Sequence, residues 1–331
     1  MKLKIIGLFM ICITIVIVYY TLLYFNKFKD SIIHETQQQL LVTARSTVKG
    51  MEQYIRGYSD SLKVLARNPH FQQKVYKKNT QSTKNKGYYY RLYDFYRVHK
   101  SNIKMVSALD ADGTLLQCYP VNNKLNGKSY SIYPSVKYVL KKRKSHVSEV
   151  FKQDGQFCVY ILEPVFYKKK FVGILRCTIS MDALFNRFIL PIMNDNQGYA
   201  WIFDNRDNII IAHPQKELIG KSVKDIINMD NTKKNLIESI MKEKYDNLTD
   251  IKGKNEGYGI FKNNKIKKAC IMAFRRVEVG KGNWNLIISN DYSKNMGSVN
   301  KFAIHIFGPG LLLLLFCMEG FSLYFREKMG I

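Results

Sequence analysis

Residues 106–129 read VSALDADGTLLQCYPVNNKLNGKS, and residues 200–222 read AWIFDNRDNIIIAHPQKELIGKS. Each begins with an apolar strand that ends in an aspartate, Asp110 or Asp204. Each continues through a turn and a second apolar strand to an aromatic ring before proline, Tyr119-Pro120 or His213-Pro214. The proline follows the aspartate by ten positions in both copies, and a Gly-Lys-Ser comes after it. Such self-similarity predicts one hairpin used twice. Gly113 of the first turn falls opposite Asp207 of the second, and both residue types suit hairpin turns.

Outward from the two copies the pattern continues to match. After the first, residues 134–144 read as a helix and 147–151, 157–166 and 171–180 as strands. After the second, 224–227 and 233–243 read as helices and 257–262, 267–277 and 283–290 as strands. Each unit is then two strands, helix, three strands. The fold class expected is α+β, with two antiparallel five-stranded sheets in tandem. A connecting helix over 183–193 takes Asp182 as its cap. Upstream, Ile33, Leu40, Ala44, Val48, Met51, Ile55, Tyr58, Leu62 and Leu65 form one apolar stripe, which predicts a long helix over 30–67. A shorter helix over 69–76, a loop over 77–86 and a helix over 88–100 follow.

The two ends predict membrane anchors. Residues 5–25 are almost wholly apolar and long enough to cross about 30 Å of hydrocarbon. Lys2 and Lys4 place that end in the cytoplasm, and Tyr19, Tyr20 and Tyr24 suit an interfacial belt. A cleaved signal peptide is the competing reading, weakened by the length of the run and the want of a small-residue cleavage site. Residues 302–325 form a second apolar run, broken by Gly308, Pro309 and Gly310, with Arg326 and Lys328 behind it. Glu319 inside that run either contacts a partner helix or reaches the headgroups. The division expected is therefore 1–27 first span, 28–102 helical stalk, 103–182 membrane-distal unit, 183–298 membrane-proximal unit and 299–331 second span with a short tail. Both termini are cytoplasmic and the centre is extracytoplasmic, with no output domain after the second span.

The formal net charge is +26, from 52 Lys and Arg against 26 Asp and Glu. The positives are scattered, which speaks against nucleic acid and leaves compositional bias or a functional basic surface. Of six cysteines, none forms a CxxC pair, so zinc and redox motifs are excluded. Cys158 and Cys177 fall on adjacent strands, which leaves a disulfide or two buried thiols open.

At GYAWIFDNRDNIIIAHPQKELIGKS, residues 198–222, and YILEPVFYKKKFVGILRCTISMDAL, residues 160–184, the sequence resembles the double Cache family. These are tandem PAS-like sensors of bacterial chemoreceptors, sensor kinases and cyclic-dinucleotide enzymes. The resemblance implies a long helix carrying both units, a small-molecule pocket in the membrane-distal unit and a parallel homodimer through the helical stripe. Amino-acid-binding members carry an Arg-x-Trp-Tyr stretch and a late Asp. The matching helix here reads YPSVKYVLKKRKS and the late strand FVGILRCTIS, so the resemblance does not extend to that ligand class.

Along the late strand, Val172, Ile174, Arg176 and Thr178 share one face. A charged side chain in an apolar strand needs a partner or a ligand. A symmetric hairpin about residues 167–170 pairs 160 with 177 and puts Val159, Ile161 and Glu163 on that same face. Arg176 then either binds an anionic ligand with Thr178, pairs internally with Glu163, or lies exposed at an edge. Tyr119, Tyr130 and Tyr133 flank the pocket helix and would stack on a ligand or simply pack. His213 lacks metal-spaced companions and reads as a turn residue, and neither Gly-Lys-Ser has the upstream glycine of a phosphate loop. No catalytic residues, metal or cofactor are expected. The function expected is a non-enzymatic, two-pass small-molecule sensor working with a separate signalling protein or as a homodimer. A sensor that has lost its output domain, or a basic surface protein binding anionic envelope polymers, is the alternative.

Overall fold

The computed structural model describes residues 2–80, 86–194, 199–222, 255–263, 268–280 and 282–293, with isolated helical positions between 296 and 320. Helix α1, Lys2–Ala66, is continuous over 65 residues and about 97 Å long. Helices α2, Pro69–Thr80, and α3, Lys86–His99, follow it. The first sheet contains β1 Met105–Asp110, β2 Leu115–Tyr119, β3 His146–Val147, β4 Phe151–Gln153, β5 Gln156–Tyr167 and β6 Lys170–Ser180. Helix α4, Pro134–Lys142, crosses between β2 and β3. Two short helices, α5 Met181–Leu184 and α6 Leu190–Asn194, flank a π-helical turn and lead to the second sheet. That sheet contains β7 Tyr199–Asp204, β8 Ile209–Ala212, β9 Glu256–Asn263, β10 Lys268–Val279 and β11 Gly282–Asp291.

The strand order is β2-β1-β6-β5-β3 in the first sheet, with β4 also on β5, and β8-β7-β11-β10-β9 in the second. The topology is thus repeated, and the hairpins show why the sequence repeats. Asp110 Oδ1 accepts the N–H groups of Asp112 and Thr114 at 2.9 and 2.8 Å, closing the turn after β1. Asp204 Oδ1 accepts Arg206 N–H at 3.0 Å in the same place after β7. The glycine of each Gly-Lys-Ser takes positive φ, +78° at Gly127 and +88° at Gly220. Gly127 donates to Leu115 O and Gly220 to Ile210 O, so each motif adds a short rung to its hairpin and serves the sheet. In the second turn the positive φ falls at Asn208 rather than at Asp207.

Two sequence expectations are corrected. The first sheet has six strands, because the strand expected over 147–151 is split. Ser148 Oγ accepts Tyr160 N–H at 2.8 Å, replacing a backbone carbonyl and breaking the ladder between β3 and β4. The cap of α5 is Ser180, whose Oγ accepts Ala183 N–H at 3.2 Å, and not Asp182. The helices expected over 224–227 and 233–243 lie outside the described residues.

One face of both sheets packs on α1. Leu40, Ala44, Val48, Met51, Ile55, Tyr58 and Leu62 are buried in a cluster that also holds Cys177 and Ile161 of the first sheet and Trp284 and Leu286 of the second. The helical stripe is thus one continuous seam. The other face of the first sheet packs on α4, where Val136 and Val139 meet Leu109, Leu162 and Ile174. Among the described residues no helix is long and apolar enough to cross a membrane. The side chains of residues 2–11 and most of 302–325 are not among them.

Candidate functional site

Arg176 is fully buried in the middle of β6. Its Nε donates to Ser107 Oγ of β1 at 2.8 Å. Its guanidinium carbon lies 3.9 Å from the Tyr130 ring centre and 4.8 Å from that of Tyr160. Nη1 and Nη2 have no hydrogen-bond partner, and neither has the buried hydroxyl of Thr178 two residues on. A buried guanidinium with four unpaired N–H groups is costly, since a charge taken from water needs compensation.

The Arg176–Glu163 ion pair left open by the sequence does not form. Lys168 and Lys169 make the two-residue turn of the β5–β6 hairpin, both at positive φ. The register then slips by one between Val165 and Phe166, so Tyr160 pairs with Thr178, Leu162 with Arg176 and Ile161 with Cys177. A one-residue slip exchanges the faces. Gly173, which pairs with Val165 at the slip, runs close against β1. A Cβ there would stand 2.2 Å from Leu109 O. Tyr160 and Leu162 therefore join Arg176, while Val159, Ile161 and Glu163 turn toward α1. Cys158 and Cys177 end on opposite faces, and both thiols are free. Burial pushes the Cys158 thiol up to about 11 and raises Cys177 as well, which makes both inert.

Of the residues singled out from sequence, Arg176, Thr178, Tyr130 and Tyr133 come together and Tyr119 does not. Tyr119 packs 5.4 Å from Tyr93 of α3, on the helix side of the sheet. Tyr133 stands at the N-terminal end of α4 ahead of Pro134 without a side-chain capping bond, and its ring stacks on Tyr130 at 5.7 Å and 22°. Tyr160, missed in the sequence, meets Tyr133 edge-on at 6.0 Å and Phe151 at 4.2 Å. The interior glycine Gly173 was the available signal, because a glycine inside a strand marks a bulge or a close backbone approach. Outside these rings, between α4 and β3–β4, lies a pocket of about 390 Å³ whose walls include Tyr133, Lys137, Lys141, Glu149 and Phe151.

Glu163 is 2 % exposed and accepts from Ser59 of α1 at 2.7 Å and from Ser145. Burial raises its pKa, and the two hydroxyl donors oppose the rise only in part. A carboxyl whose folded pKa lies above its unfolded one binds its proton more tightly in the folded chain. Its stabilising contribution is then complete below the unfolded pKa and is lost as pH rises through the folded value. Glu163→Gln should therefore gain stability relative to wild type as pH climbs from 4 to 8, read as the difference in urea midpoints. A difference that does not change with pH would show that the carboxyl is not perturbed.

Among the described residues the second sheet lacks this arrangement. Counting from the aspartate at each strand end, Ser107 and Arg176 correspond to Trp201 and Ile287, which pair in the same register. His213 holds a turn as expected: Gln215 N–H donates to Nδ1 at 3.0 Å, and Nε2 lies 3.0 Å from the Tyr199 hydroxyl.

Two sheets of one topology, set in tandem on a single N-terminal helix with a cationic site on the first, make up a tandem PAS-like architecture. The family model described as Cache domain matches residues 26–299, and the chain belongs to that family. Among solved structures, 107 chains match. The ligand-binding domain of the Pseudomonas fluorescens chemoreceptor CtaA in complex with L-isoleucine is 18% identical, with a TM-score of 0.54, and the match covers 82% of this chain and 98% of that one. That of the Pseudomonas aeruginosa PAO1 amino acid chemoreceptor PctC in complex with GABA is 15% identical at a TM-score of 0.53, over 77% and 99%. An extracellular ligand binding receptor from Desulfohalobium retbaense is 14% identical at 0.53, where the match spans 76% of this chain and 40% of that one. At such identities the likeness is one of fold. No curated protein matches the chain in sequence.

Proposed function

We propose that the chain is an extracytoplasmic sensor that binds a small anionic molecule at Arg176 of its first, membrane-distal unit. The observation that carries this reading is a buried guanidinium with two nitrogens left without partners. Arg176 and Thr178 bind the anion, while Tyr130, Tyr133 and Tyr160 wall it. Arg–carboxylate and Arg–phosphate contacts are short and bidentate, so one anionic group satisfies both nitrogens at once. The solved relatives in complex with L-isoleucine and GABA support a small-molecule ligand in this fold.

Residues 5–25 and 302–325 anchor the chain in the bilayer, and the sheets between them stand outside the cell. The route of the signal follows from strand geometry. Arg176 and Cys177 are neighbours on opposite faces of β6, and Cys177 belongs to the seam with α1. Glu163 of β5 accepts directly from Ser59 of α1. A ligand that draws Arg176 outward therefore shifts the strands against the helix that leads to the membrane. It biases two packings of one seam, as a switch requires.

A thermal-shift screen of the full chain in detergent against anionic metabolites tests the reading. A true ligand at one hundred times its dissociation constant stabilises by about 2.7 kcal/mol. That stabilisation should vanish in Arg176→Ala, and a hit that persists there unchanged would show that the anion contact is wrong.

A further inference from the structure

Five residues other than glycine take a positive φ among the described residues. Two are Asp154 and Asn208, of the types that tolerate the left-handed region at turns. The other three are Arg143, Lys168 and Lys169, and all stand at one end of the first sheet. Lys168 and Lys169 fill the two-residue turn of β5–β6, where Asn and Gly are usual. Arg143 fills the position after α4, where glycine is usual. A long cationic side chain gains nothing from a left-handed backbone, so the charge is kept against a local conformational cost.

These positions sit inside two exposed cationic runs, KKRK over residues 141–144 and KKK over 168–170. The fold brings the runs together, with the Arg143 guanidinium carbon 3.5 Å from the Phe171 ring centre. On the other side of the turn Tyr167 meets Tyr76 of α2 at 5.1 Å, and exposed Lys77 comes next in sequence. The acids nearest in register are Asp110, which pairs with Gly173, and Asp112 beyond it, and they leave most of this charge uncompensated. The tip lies against α2, which follows the end of α1, and the helix from residue 25 to 66 spans about 60 Å.

We propose that this tip is a docking surface for a flexible, phosphate-bearing polymer of the cell envelope, separate from the pocket at Arg176. Its height rests on the anchoring of residues 5–25 given above. It sets the partner apart from the chain's own membrane, because charge is screened within about 10 Å at 0.1 M salt. The two runs hold six lysines and one arginine. Lysines act as point charges that read charge density, whereas the planar fork of a carboxylate is matched by arginine. The rings at the tip are already engaged, Tyr167 with Tyr76 and Phe171 with Arg143, so they are not offered to nucleic-acid bases.

The test is fluorescence anisotropy of labelled inorganic polyphosphate with the full chain in detergent, in salt from about 50 to 300 mM. Log affinity should fall linearly with log salt. Lys168→Asn with Lys169→Gly should weaken binding about tenfold or more near 0.1 M salt and lessen the slope by about one or more. The same variant should melt higher, since Asn-Gly suits the turn, which separates lost binding from lost fold. Lys49→Gln, Lys152→Gln and Lys216→Gln together remove three exposed charges elsewhere and should change the affinity by less than about twofold. The proposal is overturned if the turn variant binds as well as wild type or if the second variant weakens binding as much. It is overturned too if hyaluronate or single-stranded DNA binds as tightly as polyphosphate. The anchoring reading fails separately: Lys168→Cys that a membrane-impermeant maleimide does not label on whole cells removes the envelope polymer as partner, even where polyphosphate binds.

Discussion

Arg176→Met, made together with Ser107→Ala so that the Ser107 hydroxyl is not left without its partner, should stabilise the ligand-free chain by about 1–3 kcal/mol and make it blind to anions. The gain follows from what Arg176 lacks. Leaving a buried polar group without a partner costs about 1–3 kcal/mol, and more if it is charged. The single bond to Ser107 and the contacts with Tyr130 and Tyr160 return part of that cost. Methionine fills a similar volume and carries no charge, and replacing buried ionic groups with packed apolar ones is often stabilising. In a thermal melt each kcal/mol moves the midpoint by about 2–4 °C in a domain of this size. The expected result is a higher midpoint without ligand and no further rise with it. A variant that melts as low as a core truncation would mean that the guanidinium is satisfied in the native chain and structural in purpose.

The larger loss belongs to Trp284→Ala. Trp284 is the largest fully buried side chain of the described residues and lies in the seam between the second sheet and α1. Its ring covers Gly282, where a Cβ would stand 3.0 Å from Cε2. Removing so large a ring from a packed core costs about 3–5 kcal/mol. Trp284→Phe should cost much less, because the indole Nε1 makes no hydrogen bond that phenylalanine would forfeit. Urea unfolding reads both effects. Since the cluster around Trp284 is continuous through α1 with that of the first sheet, the alanine variant should lower the midpoint seen by probes in either unit. Two separate transitions, with only the later residues affected, would show that the seam does not couple them.

The repeat was legible because each copy performs the same local work. Asp110 and Asp204 close the turns, and the glycines of the two Gly-Lys-Ser motifs reach the positive φ that their rungs demand. The stripe on α1 was legible because a helix that packs along its length repeats its apolar contacts every turn. Register was harder to read. Turn chemistry fixed the tip of the β5–β6 hairpin correctly, but the slip at Val165 reversed the faces beyond it. That reversal changed the company of Arg176 from Glu163 to Tyr160. Tyr119 was misplaced for a related reason: it follows Cys118 on β2 and so faces the helices, while Cys118 faces α4. The split between β3 and β4 depends on one serine side chain competing with backbone, which no periodicity reveals.

The central claim is that Arg176 receives the ligand. The most direct measurement is a crystal structure of the chain with a stabilising anion bound. The account predicts ligand oxygens about 2.7–2.9 Å from Nη1 and Nη2 of Arg176, with the Tyr130 and Tyr133 rings displaced from their present stack. A ligand seated on the second sheet, with Arg176 still covered and unpaired, would contradict it.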